Sequence, residues 1–115
     1  MSPESVFKSL SGEIRLRCLL LLNSHDELCV CELTHALNLP QPKISHHLAA
    51  LRESKLVCDR KEGLWIYYRI NPDIPNWVQE VIRAAESGAA ERDPFVTDSQ
   101  SLATMPNRPG SACCA

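Results

Sequence analysis

The run Leu39-Pro40-Gln41-Pro42-Lys43-Ile44-Ser45-His46-His47-Leu48 decides the fold. Proline suits the first turn of a helix, where its missing N–H is not needed, so Pro42 predicts a helix from about Gln41 to Ser54. Ile44, Leu48 and Leu51 recur at i, i+4 and i+7 and form one apolar face. Lys43, Ser45, His46 and His47 fall mostly on the other side. A helix with an apolar back and a basic, hydrogen-bonding front suits the major groove of DNA.

Upstream, the segment Leu28–Leu37 carries Val30, Leu33 and Leu37 at helical spacing, and Asn38-Leu39-Pro40 separates it from the polar helix. Before it, Glu13 to Leu22 is apolar on most sides (Ile14, Leu16, Cys18, Leu19, Leu21, Leu22), which predicts a central core helix. Ser2-Pro3-Glu4 predicts a short first helix bearing Val6, Phe7 and Leu10. Downstream, Leu56–Arg60 and Leu64–Ile70 flank a Gly63 turn and are rich in β-branched and aromatic residues, which predicts a β-hairpin. A last helix, from Ile74 or Pro75 to Glu86, carries Trp77, Val78, Val81 and Ile82 and ends at Ser87-Gly88.

That order is mainly α with a hairpin wing: a winged helix-turn-helix, in which a helix reads the groove and the wing reaches flanking backbone. The expected division is a domain over residues 1–88 and a flexible tail over 89–115, where Pro94, Pro106, Pro109 and Gly110 lie among small polar residues.

Charge agrees once it is divided along the chain. The formal net charge is −2. Residues 41–69, however, hold six basic side chains (Lys43, Arg52, Lys55, Arg60, Lys61, Arg69) against three acidic ones (Glu53, Asp59, Glu62). A local basic patch is what phosphate binding needs. No apolar run approaches the roughly 20 residues of a membrane span, and Met1-Ser2-Pro3-Glu4-Ser5 lacks a signal-peptide profile, so the expected compartment is the cytoplasm, without a membrane partner. Six cysteines in 115 residues, in close pairs, then point to metal, metalloid or redox chemistry rather than to disulfides.

Three stretches resemble the ArsR-type family of metal- and metalloid-responsive repressors: Leu28-Cys29-Val30-Cys31-Glu32-Leu33, Leu39–Leu48, and Arg60–Arg69. The resemblance covers residues 3–87. It implies a homodimer on double-stranded operator DNA that leaves when its inducer binds. It implies a recognition helix at Gln41–Glu53, with Gln41, Lys43, Ser45 and His46 against bases or phosphates. His47 is shared between a contact role and a structural one. Arg60 and Lys61 would touch phosphates from the wing, and Tyr67 and Tyr68 would pack the wing to the core. The first and last helices, through Val6, Phe7, Val78 and Val81, would form the dimer interface.

The resemblance also places arsenic ligands at Cys29 and Cys31, where arsenic-sensing members carry Cys-x-Cys-x-x-Cys. The third position here is Thr34. Thiolates suit soft ions; inorganic arsenite takes three of them and a mono-organic arsenical two, so the expected inducers are arsenite, antimonite or an organoarsenical, with no permanent cofactor. Residues i and i+2 of a helix lie about 200° apart, so Cys29 must be non-helical if it shares an ion with Cys31. At the helix start its thiol would also feel the positive end of the dipole. Cys113 and Cys114, on a linker of about 25 residues that spans roughly 25–30 Å, are either a source of the third thiolate, an independent trap or an incidental feature. Cys18 and Cys58 read as core residues. None of His25, His35, His46 and His47 falls on the last helix, which speaks against a zinc site there. Two other readings use the same cysteines: a thiol redox-sensing repressor and a thiol metalloid carrier. No acid–base or phosphate-binding constellation points to an enzyme.

Overall fold

Local chemistry sets where the helices begin. The computed structural model describes residues 1–106 and 108. The first helix, α1 (Pro3–Leu10), starts with Pro3 in its first turn, and the Ser2 hydroxyl accepts the Ser5 N–H at 3.2 Å. Gly12 precedes α2 (Glu13–Ser24), and the Arg15 guanidinium folds over it to the carbonyls of Ser9 (3.0 Å) and Lys8 (3.2 Å). A side chain at Gly12 would collide with that guanidinium, so a larger residue displaces the link between α1 and α2. Cys18 to Leu22 are all buried, as the all-round apolar pattern of α2 requires.

A short strand β1 (Leu28–Cys29) follows, then α3 (Val30–Leu37), α4 (Gln41–Glu53), β2 (Val57–Glu62), β3 (Trp65–Ile70), α5 (Asn76–Ala89) and α6 (Phe95–Ala103). The sheet order is β1-β3-β2, antiparallel throughout. Leu28 pairs with Tyr68 and Cys29 with Tyr67, while β2 and β3 run in register from Val57–Ile70 to Glu62–Trp65. Leu19, Leu22, Leu28, Leu33, Ile44, Leu48 and Leu51 form the centre of the core. Each such side chain contributes roughly 1.5–3 kcal/mol on leaving water. The apolar back of α4 is therefore what fixes its polar front outward.

Three expectations need correction. The third helix begins at Val30 rather than at Leu28, because Leu28 joins Cys29 in a short strand. Val6 and Val78 are buried in the chain's own core, at 2% and 0% exposure, so neither remains for a dimer interface; of the same set, Phe7 is 55% exposed and Val81 half-buried. Chain that was expected to find little to pack against beyond Ala89 instead forms α6, which lies on α2 and α3. The anchors of α6 are Leu102, fully buried, and Asp98, 2% exposed. Arg17 of α2 meets Asp98 with two parallel bonds (Nε–Oδ2 2.8 Å, Nη2–Oδ1 2.7 Å), and its Nη2 also donates to the Leu37 carbonyl at 3.3 Å. A helix whose core anchor is a carboxylate shows no apolar stripe, which hides it from periodicity. Arg108 lies beyond α6 and reaches Glu32.

Candidate DNA interface and thiol site

The turn between α3 and α4 is made by Asn38, whose φ of 54° is left-handed and closes α3. Asparagine tolerates that conformation better than most residues. Pro40 then caps α4 and Pro42 sits in its first turn. Gln41, Lys43 and His46 are exposed on α4; Ser45 and His47 are half-buried. The rings of His46 and His47 meet edge to face with centroids 5.2 Å apart. Nδ1 of His47 is buried with no hydrogen-bond partner among the described residues. Its pKa is lowered, first by burial and then by His46, Arg15 and Lys43. His47 thus points to the flank of the helix, and Gln41, Lys43 and His46 carry its front.

The wing turns at Gly63-Leu64, with φ +61° at Gly63 and no positive φ at Leu64, the pattern of a II′ hairpin. Lys61 is exposed near the tip. Arg60 is engaged: its Nε and Nη2 donate to the two carboxylate oxygens of Glu27 at 2.7 Å each, and Nη1 donates to Glu62 at 2.7 Å. Its guanidinium also lies 4.5 Å from the centre of the Tyr67 ring. The pairing lowers the pKa of Glu27. Tyr68 is buried in the core and Tyr67 half-buried.

Cys29 is the N-cap of α3, with φ −86° and ψ 165°, hence extended and non-helical. It forms a capping box with Glu32: the Cys29 sulfur takes the Glu32 N–H, and the Cys29 N–H donates to Glu32 Oε1 at 2.9 Å. Cysteine stands where serine or threonine is usual. Cys31 is half-buried in the first turn of α3 and is disulfide-bonded, which corrects the expectation of metal, metalloid or redox chemistry rather than disulfides. Both cysteines line a cleft of about 740 Å³ shared with Thr34, Leu39, Trp65 and Ile66. The Thr34 hydroxyl is spent on the Val30 carbonyl at 2.8 Å. Cys113 and Cys114 lie outside the described residues. Cys18 is fully buried and burial pushes its thiol up to about 12, which keeps it a protonated core residue. Cys58 is half-buried on β2. Among the described residues no group of three or more His, Cys, Asp or Glu side chains is placed to hold a metal.

The structure brings Cys29 and Cys31 together with the wing residues Trp65 and Ile66, which sequence reasoning left apart. It adds Glu27, Glu32 and Arg108, none of them expected. The spacing of Glu32, three residues after Cys29, was a legible capping signal; Glu27 and Arg108 act through tertiary contacts that no local pattern announces.

Residues 12–58 match the family described as bacterial regulatory protein, arsR family. The chain is 46% identical over 111 residues to the arsenic resistance transcriptional regulator ArsR1 of Pseudomonas putida, covering 96% of this chain and 85% of that protein. It is 53% identical over 83 residues to the arsenical resistance operon repressor of Escherichia coli, covering 72% and 71%. Among solved structures, HlyU from Vibrio cholerae superimposes with a TM-score of 0.67 at 32% identity, covering 76% of this chain and 90% of that one. The antimony-specific transcriptional repressor AntR superimposes with a TM-score of 0.64 at 27% identity, over 75% of each chain. A helix-turn-helix with a hairpin wing and these relatives lead to one conclusion: the chain belongs to the arsR family of bacterial regulatory proteins, which are DNA-binding transcriptional regulators and not enzymes.

Proposed function

We propose that this chain is a cytoplasmic, homodimeric repressor that leaves its operator when a trivalent arsenical or antimonial binds Cys29 and Cys31, the latter in its reduced form. The observation that carries the reading is the extended N-cap conformation of Cys29, beside Cys31 and at the head of the helix that supports α4. Extended backbone at Cys29 removes the helical constraint that would splay the two sulfurs. Each thiol displaces one hydroxide from arsenic as water: an organoarsenical R–As(OH)2 condenses with two thiols and releases two waters, and As(OH)3 condenses with three. Cys113 or Cys114 is the candidate third thiol for inorganic arsenite. Gln41, Lys43, Ser45 and His46 meet bases or phosphates from α4, with His47 at its flank and Lys61 and Arg60 on the wing. The relatives named for arsenic resistance and for antimony support the inducer class.

The reading is tested on a duplex that the protein selects from a random library, with binding followed by fluorescence anisotropy. Arsenite, antimonite or methylarsenite release the duplex at micromolar concentration, and hydrogen peroxide at matched concentration does not. Release by peroxide alone supports oxidation of the thiols instead. Binding that ignores every thiol ligand overturns the sensor reading.

A further inference from the structure

We propose that Arg108, acting through Glu32, is a positioning residue for the inducer: together they hold Cys29 in the extended conformation it needs to share one ion with Cys31. The proposal rests on the reading of Cys29 and Cys31 as arsenical ligands. Glu32 is 4% exposed, and both its oxygens are used. Oε1 accepts the Cys29 N–H at 2.9 Å; Oε2 accepts from Arg108 Nε at 2.8 Å and Nη2 at 2.7 Å. A carboxylate this buried stays in place only while it is paired and hydrogen-bonded. Without the guanidinium, Glu32 gains more by turning to water than by capping one amide, and it takes the cap with it.

Two restraints therefore act on Cys29. Its pairing with Tyr67 holds it from the sheet side, and Glu32 holds it from the helix side. Arg108 reaches Glu32 because α6 is clamped to α2 by Arg17–Asp98 and seated by Leu102. The segment after α5 is thus part of the frame of the thiol site. Groups that orient the ligands of a bound ion typically change its affinity by 10–100-fold when removed.

The test measures phenylarsine oxide binding, which needs two thiols, to the reduced full-length parent, Arg108→Ala, Arg108→Lys and Glu32→Gln, because Cys31 is disulfide-bonded in the structure. Each is also made with Cys113→Ser and Cys114→Ser, which separates positioning of Cys29 from any part played by the distal thiols. Arg108→Ala weakens binding roughly tenfold in both backgrounds, and Arg108→Lys recovers part of the loss. Operator affinity without arsenical stays within about twofold, and the Cys29 amide exchanges its hydrogen faster in Arg108→Ala. Binding within about twofold of the parent, or a loss confined to proteins that keep Cys113 and Cys114, overturns the proposal. Arsenical binding that survives both Cys29→Ser and Cys31→Ser is a different failure: it removes the site reading itself, whatever Arg108 does.

Discussion

Cys29 lies directly across β1–β3 from Tyr67, and Tyr67 in turn lies across β3–β2 from Arg60. The proposed ligand is therefore in one cross-strand row of the sheet with the wing. Glu27, two residues before Cys29, holds Arg60 through a two-point ion pair, and Arg60 covers the Tyr67 ring. A change at Cys29 has a contiguous path to the wing through the sheet, and a second to α4 through α3.

Trp65 reports that path. It is half-buried on β3 and lines the same cleft as Cys29 and Cys31. In a Trp77→Phe background, where Trp65 is the remaining tryptophan, arsenite shifts or quenches its emission with the same midpoint as operator release. Adding Cys29→Ser abolishes the change. An emission spectrum indifferent to arsenite while the operator is released would show that the wing does not sense the site.

Salt dependence of operator binding separates the basic residues. Lys43→Ala and Lys61→Ala each lower the slope of log K against log salt by about one. Arg60→Ala lowers it by less, because Glu27 already occupies its fork, and Glu27→Gln steepens it. A full unit lost in Arg60→Ala, with no effect of Glu27→Gln, would mean that Arg60 swaps Glu27 for phosphate at no cost.

How far the sequence spoke depended on where the information sat. Ile44, Leu48 and Leu51, with Pro42, announced α4, and Gly63 among β-branched residues announced the wing, because both are set by local periodicity. The requirement that Cys29 be non-helical also followed from helix geometry alone, and the N-cap dihedrals agree with it. What stayed hidden was set at long range. Asp98 reads as a tail residue until Arg17, 81 positions away, is brought to it. The Arg60–Glu27 pair likewise joins positions 33 apart, which no local pattern announces.

Asp98 gives the stability prediction. Removing one partner of a buried, two-point ion pair leaves the other charge uncompensated, at a cost of about 3–5 kcal/mol. Arg17 keeps some solvent contact, at 13% side-chain exposure, so Asp98→Ala is expected near the lower end, about 3 kcal/mol. Urea unfolding of Asp98→Ala and Arg17→Met checks it. A midpoint unchanged in both would show that α6 does not depend on the pair.

His47 gives a pH dependence. Its folded pKa is depressed, so the folded protein favours the neutral ring. The contribution is complete above the unfolded value of about 6.5 and is lost as pH falls through the lower folded value. Stability should therefore decline on acidification below about 6.5, and His47→Gln should flatten that decline. Parallel curves for parent and variant from pH 7.5 to 5 would exclude His47 as the source.

The central claim is that Cys29 and Cys31 are the thiols through which arsenic releases DNA. Its most direct measurement is the anisotropy of a labelled operator duplex titrated with arsenite, for the parent, Cys29→Ser and Cys31→Ser. All three are expected to bind the duplex with similar affinity, because serine keeps a hydrogen-bond acceptor at the N-cap position of Cys29, and only the parent is expected to let go. Full release from both serine variants at the parent's arsenite concentration would contradict it.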